Sequence, residues 1–140
     1  ALGAIKKQID VGDYGFKYLC KTNGLVDMSY LQPCDKPMGR ALCFITPDSE
    51  RTFAISKGCM NDFSEEYVDE NIIKNSSALL ISAYTLRSES EAIYKATIKA
   101  CKIAKDHDVP VVMSLGTSQL VADKVKFLRE FSLEYVTVLA

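Results

Sequence analysis

The apolar positions of this chain follow two regimes. Between Met38 and Ser56 they form two short β-prone runs, Arg40 to Thr46 and Arg51 to Ser56, around the turn residues Pro47, Asp48 and Ser49. This pattern predicts a hairpin with a four-residue loop, Pro47 to Glu50. The hairpin empties into Gly58-Cys59-Met60-Asn61, a Gly-x-x-Asn passage where short side chains let backbone approach a ligand. From Ser64 onward, short apolar runs alternate with stretches at helical spacing. Ser64 caps a predicted helix with Glu65 and Glu66 in its first turn and Val68, Ile72 and Ile73 on its apolar side. A buried strand is predicted over Ala78 to Tyr84. Ser88 and Glu91 read as a capping box for the longest helix, in which Ile93, Ala96, Thr97, Ala100, Ile103 and Ala104 recur at helical spacing. Val109 to Leu115 is the next strand. Thr117 or Ser118 caps a helix with Val121, Val125 and Leu128 inward, and Tyr135 to Leu139 is the last strand. Strand, helix, strand, helix, strand implies right-handed crossovers and a parallel sheet.

The N-terminal part is less periodic. Ala1 to Ile5 is strand-like, Asp13 to Lys21 reads as a helix stopped by Gly24, and Met28 to Gln32 is a short strand before a loop, Pro33 to Pro37. The expected fold class is therefore α/β: a parallel sheet flanked by helices, with a small β lid. Residues 28–56 are the expected lid segment and residues 64–140 the β/α core. The chain opens without Met and closes in an apolar run, Tyr135 to Ala140, of the kind buried in parallel sheets. It stops at the strand edge where ligands of such sheets bind. It is expected to be a single fragment of a longer protein.

Composition narrows the classes. The 140 residues suffice for one core, and 48% hydrophobic with 25% charged residues is ordinary globular usage. A net charge of -1 argues against nucleic-acid binding. No apolar run is long enough for a membrane helix, and no secretion signal opens the chain. The five cysteines, Cys20, Cys34, Cys43, Cys59 and Cys101, are irregularly spaced, so free thiols in the cytoplasm are expected rather than a disulfide or zinc framework.

Motifs with catalytic chemistry are missing from the sequence: no phosphate loop, no nucleophile elbow, no His-Glu-x-x-His. The one histidine, His107, reads as a solvated turn residue. No catalytic and no metal-ligating residue is assigned. Pleating places Ala41, Cys43 and Ile45 on one face of the hairpin and Arg40, Leu42, Phe44 and Thr46 on the other. The small residues leave room for a base or ribose, or pack on the core. Arg40 and Arg51 either reach a phosphate or purine oxygen or are solvated strand-end charges.

Val11-Gly12-Asp13-Tyr14-Gly15 and the lid-like Glu50 to Ser56 with Gly58 and Asn61 resemble passages of the ribokinase-like (PfkB) carbohydrate and nucleoside kinases. Within that family Tyr30-Leu31-Gln32, Gly39-Arg40, Glu50 to Ser56, Val109-Pro110-Val111-Val112 and Leu115-Gly116-Thr117 are similar to the inosine-guanosine kinases, over their middle portion only. The resemblance implies an ATP- and Mg2+-dependent transfer to the 5′-hydroxyl of inosine or guanosine, in purine salvage. It implies substrate contacts at Gly39, Arg40, Ala41, Cys43, Phe53 and Tyr84, and a cofactor contact at Ser114. The glycine-rich sugar motif, the magnesium motif and the anion hole with its general base would all lie outside the chain, which alone is expected to be inactive. Two departures stand out. Ser114-Leu115-Gly116-Thr117 replaces an Asp or Asn followed by Pro, and neutral Tyr84 stands near where ribokinases carry an acid. An aromatic there suits a purine, or simply packs. The alternatives are another PfkB kinase acting on a sugar or adenosine, and a non-catalytic lid or oligomerisation element with exposed strand edges. The expected partners are a nucleoside and ATP, without nucleic acid or membrane, and a second copy through the lid.

Overall fold

The structure, a computed structural model, describes residues 2–6, 18, 21, 24 and 26–140. The predicted helix Asp13 to Lys21 lies outside the described residues except for Tyr18 and Lys21, as does the turn at Gly12 and Asp13. Two compact units divide the chain, residues 1–63 and 64–140.

In the first unit β1 (Gly3–Lys6) pairs in parallel with β2 (Leu31–Cys34), and β3 (Arg40–Ile45) pairs antiparallel with β4 (Arg51–Ser56). The strand predicted over Met28 to Gln32 begins later. Asp27 Oδ1 accepts from the Ser29 amide at 2.9 Å and the Leu31 amide donates to Met28 O, so a turn occupies those residues. The strand then runs through Pro33 and not into the predicted loop, which an edge strand permits. The hairpin is as predicted, with a shorter loop. Thr46 N donates to Glu50 O at 3.1 Å and Ser49 N to Thr46 O at 2.8 Å, leaving a loop of Pro47, Asp48 and Ser49 with Ser49 left-handed at φ 67°. The Thr46 hydroxyl and the Glu50 amide both donate to Asp48, and these bonds hold its carboxyl below the usual carboxylate range.

Every residue of β3 and β4 is exposed, so the hairpin is tied down at its root. Gly58 is left-handed at φ 52°, and a Cβ there would meet Pro37 O at 2.2 Å and Gly39 N at 2.7 Å. The incoming and outgoing backbones touch at this point. Cys59 N then donates to Pro37 O at 2.9 Å, and the buried Cys59 thiol reaches Ala4 O at 3.6 Å. Asp62 completes the anchor: its carboxylate accepts from Lys36 Nζ at 2.9 Å and from the Cys34 thiol, and its carbonyl accepts from Gln32. The Gly-x-x-Asn passage thus brings backbone close to backbone of the same unit.

In the second unit β5 (Leu79–Ser82), β6 (Val111–Ser114) and β7 (Val138–Leu139) form a parallel sheet in that order, as the alternation predicts. Helices α1 (Glu70–Lys74), α2 (Ala92–Asp106) and α3 (Ser118–Tyr135) connect or precede them. Val111 and Met113 are buried, together with Ala96, Ala100, Cys101 and Ala104 of α2 and Leu120, Leu128 and Phe131 of α3. Val112 and Val138 are paired on the opposite face of the sheet, where Val138 and Leu80 are exposed.

Several boundaries differ from the sequence reading. The helix predicted after Ser64 is two elements, a 3-10 turn Glu65–Tyr67 and α1. Val68 is extended, and Asp69 takes over as cap by accepting from the Asn71 and Ile72 amides. Lys99 Nζ donates to Glu65 O at 2.8 Å and to Val68 O, holding that break in place. The Ser88–Glu91 capping box does not form: Glu91 is the N-cap of α2 without a side-chain cap bond, and Ser88 Oγ lies 2.9 Å from Ser90 Oγ instead. In α3 Thr117 is the cap, but Lys124 is non-helical (φ -127°, ψ 20°) and shifts the helix phase, which leaves Val125 exposed rather than inward. Val138 and Leu139 sit at the sheet edge and are exposed, not buried on both faces. His107 does sit in a turn, with Nε2 3.1 Å from Glu70 Oε1.

Gly58→Ala should destabilise the chain by about 3 kcal/mol, because left-handed strain adds to overlap with fixed backbone; urea unfolding is the measurement. A second expectation concerns pH. Burial pushes the Cys101 thiol from 9.0 up to about 12. Below the unfolded value both states keep the proton and stability is full. Above it the unfolded chain releases a proton that the folded chain retains, so stability falls as pH rises through this window. Tyr135, raised from 10.0 to about 12 chiefly by desolvation, acts in the same direction. Urea midpoints should decline between about pH 9 and about pH 11, and Cys101→Ala should flatten that decline.

Candidate functional site

The predicted site residues fall into two groups, one in each unit. In the first unit Gly39, Arg40, Ala41, Cys43 and Phe53 surround the hairpin. Gly39 is small for a packing reason: a Cβ there would meet Lys57 O at 2.8 Å and Met60 Sδ at 3.2 Å. The register pairs Ala41 with Ile55, Cys43 with Phe53, Leu42 with Ala54 and Phe44 with Thr52. Each small residue therefore faces a large neighbour across the ladder, and the expected small face at Ala41 and Cys43 does not exist. Its steric room is filled by Ile55 and Phe53 on that same face. Arg40 pairs with Ser56 at the root, whereas Arg51 pairs with Ile45 near the tip and on the other face. The two guanidinium groups start from opposite faces and ends, so they do not converge on one anion.

What this face does offer is a half-exposed aromatic ring, Phe53, beside the exposed Cys43 thiol. Among the described residues, Cys59 of the same unit is held differently. Burial raises the Cys59 pKa, and the neighbouring Cys34 adds to the shift. Lys36 is raised by its hydrogen bond to Asp62.

In the second unit Tyr84 and Ser114 come together at the carboxyl edge of the parallel sheet. Ser82 and Ser114 are register partners at the ends of β5 and β6. Tyr84 is not in the strand, as the sequence reading had it, but in a 3-10 turn, Ala83–Leu86, that Ser82 caps by accepting from the Tyr84 amide. The Thr85 hydroxyl donates back to Ser82 O at 2.8 Å. The last residues close the same edge: Ala140 N donates to Met113 O at 2.9 Å and Leu115 N to Ala140 O at 3.1 Å. Thr117 caps α3 there, its hydroxyl accepting from Leu120 N. The edge thus presents an aromatic ring, two strand-end serines and a capped helix start. This is the position at which parallel α/β sheets bind ligands. Clefts also occur elsewhere on the unit, one of about 310 Å³ lined by Glu65, Tyr94, Lys95, Ile98, Lys99 and Lys102. They hold none of the predicted site residues.

Sequence reasoning missed Ser82 and Gly116 as members of this edge. Gly116, left-handed at φ 80°, lies against the Tyr84 ring. A glycine between the end of a core strand and a threonine N-cap was the available signal.

No protein-family model matches the chain. Guanosine-inosine kinase of Escherichia coli K12 is 39% identical over 140 residues, covering 99% of this chain and 32% of that protein. The chain therefore spans about a third of the length of the curated relatives it matches. Among solved structures, adenosine kinase from Sinorhizobium meliloti superposes with a TM-score of 0.78 at 20% identity, over 98% of this chain and 41% of that one. An E. coli chain assigned as a ribokinase II gives 0.82 at 19% identity, over 99% and 44%, and its complex with ATP and Mg2+ gives 0.72.

Thiol labelling should follow the described exposure. Cys43 should react with a maleimide at least about tenfold faster than Cys59 or Cys101, whose burial suppresses the thiolate; peptide mapping of the labelled chain reads the order.

Proposed function

We propose that this chain, which has the fold of the ribokinase-like kinases and resembles guanosine-inosine kinase, is a portion of an ATP-dependent purine nucleoside kinase. The full-length protein would transfer the γ-phosphoryl group of ATP to the 5′-hydroxyl of inosine or guanosine, in purine salvage in the cytoplasm. The observation that carries this reading is the 39% identity sustained over 99% of the chain. The clustering of Tyr84, Ser82 and Ser114 at the carboxyl edge supports it. A planar ring suits a nucleobase, and hydroxyls donate to a ribose or phosphate oxygen. Phe53, Cys43, Ala41, Arg40 and Gly39 remain the lid-side candidates for nucleoside contact.

ATP would meet this chain at Ser114. Among the described residues no three of His, Cys, Asp and Glu stand together as ligands for Mg2+. The metal and the general base belong, on this reading, to parts of the enzyme outside these 140 residues. This chain's share is to bind and orient the nucleoside and to keep water from the transfer. Among the described residues no helix is long and apolar enough to cross a membrane. The exposed apolar hairpin carries a second, compatible reading as a contact between copies, through Leu42, Phe44, Ile45 and Ile55.

The test compares the full-length protein with the 140-residue chain, reading nucleoside-dependent ADP release with inosine, guanosine, adenosine and ribose. Full-length turnover with inosine and guanosine, and none by the chain alone, is the expected result. Turnover with ribose or adenosine alone would select another sugar or nucleoside kinase, and turnover by the chain would misplace the catalytic groups.

A further inference from the structure

We infer that Gly116 is a positioning residue: its bare backbone is the floor on which the Tyr84 ring lies, and it thereby sets nucleobase affinity. The inference rests on the proposed role of Tyr84 toward the nucleoside. Three observations carry it.

The first is the contact itself. A Cβ built on Gly116 would lie 2.8 Å from Tyr84 Cε2, 3.2 Å from Cδ2 and 3.3 Å from Cζ. These are three consecutive ring atoms at similar distances. An edge-on approach would leave the two flanking atoms much farther away than the nearest one, so the glycine lies over the face of the ring.

The second is topology. Ser82 and Ser114 are register partners, and Tyr84 and Gly116 each stand two positions beyond them. The two strands end side by side, and the turns that follow them bring the glycine against the ring. Gly116 is left-handed at φ 80°, a conformation that favours glycine, and Thr117 fixes the next residue as the cap of α3. The backbone under the ring is therefore held by the start of an 18-residue helix, not by a free loop.

The third is the freedom of the ring. Tyr84 keeps 46% of its surface exposed. Faced with a side chain at position 116, the ring can swing outward at small cost, whereas the capped helix start cannot move as cheaply. A substitution at 116 should therefore displace the ring and leave the fold standing. One face of the ring lies on glycine; in the proposed enzyme the opposite face stacks the planar base. Ring displacement removes that stacking from substrate and transition state alike, which raises KM without lowering kcat.

The experiment uses the full-length protein and the variants Gly116→Ala, Gly116→Asn, Tyr84→Ala and the double variant Gly116→Ala/Tyr84→Ala. Gly116→Asn carries a Cβ but tolerates the left-handed backbone better than alanine, so it separates ring displacement from backbone strain. Both glycine variants should raise the guanosine KM about tenfold, the scale of a lost base–aromatic stack, with kcat and the KM for ATP unchanged. In the Tyr84→Ala background the glycine change should add nothing further. If Tyr84→Ala raises KM but Gly116→Ala and Gly116→Asn do not, positioning is overturned while the role of Tyr84 stands. A rise with Gly116→Ala that Gly116→Asn abolishes assigns the effect to strain and overturns it too, as does full additivity in the double variant. An unchanged KM in Tyr84→Ala removes the Tyr84 reading from which the inference starts. If Gly116→Ala does not fold, Gly116→Asn alone, with the Tyr84→Ala cycle built on it, decides the matter.

Discussion

A hairpin with no interior of its own has to be held from outside its ladder. All twelve residues of β3 and β4 are exposed, and an isolated two-stranded ribbon is marginal in water. What holds it is one close backbone crossing, where Gly58 passes Pro37 O and Gly39 N at distances that leave no room for a Cβ. Neighbouring bonds then lock the crossing. Cys59 N ties it to Pro37 O, the Cys59 thiol to Ala4 O, and Asp62 gathers Gln32, Cys34 and Lys36. Register, face assignment and the location of every lid-side candidate follow from this crossing, because a one-residue slip would turn each side chain to the other face.

The second unit rests on a different kind of order. Its sheet is parallel, and the buried Val111 and Met113 of the central strand pack among the small and apolar residues of α2 and α3. Cys101 is part of that interior as a small apolar group, and its burial raises its pKa. Such a core fixes the strand ends relative to one another. That rigidity lets short turns, rather than long side chains, present Tyr84 and Ser114 at one edge.

The parts of the fold that were legible in the amino-acid sequence were those set by period and by strong local chemistry. The apolar runs predicted over Ala78 to Tyr84 and Val109 to Leu115 each contain a shorter strand, and the helical spacing from Ala96 to Ala104 and the Pro47-Asp48-Ser49 turn produced the expected elements. Boundaries failed where a competing polar side chain took over. Asp69 intercepted a helix begun at Ser64, Ser82 ended a strand expected to run to Tyr84, and Asp27 turned the chain where Met28 was expected to start a strand. The candidate site was legible only residue by residue. Pleating correctly put Ala41 and Cys43 on one face, but the identity of that face depends on cross-strand register, which brought Phe53 and Ile55 beside them. The glycine between a core strand and the Thr117 cap marked a turn, but its role depends on Tyr84, a neighbour distant in sequence that no local pattern supplies.

The order of strands in the second unit has a consequence for synthesis. Spatial order follows chain order, β5 then β6 then β7, so each strand docks beside the one made just before it. On a ribosome releasing the chain from its N-terminal end, β6 can close on β5 through α2 before β7 has emerged. No strand has to be inserted between two that are already paired. The loop to be closed at each step is one helix long, which keeps the entropy of closure low for a parallel sheet. Until the next strand arrives, the growing edge is the backbone of β5 and then of β6, and in that interval a nascent chain is most open to pairing with the wrong partner.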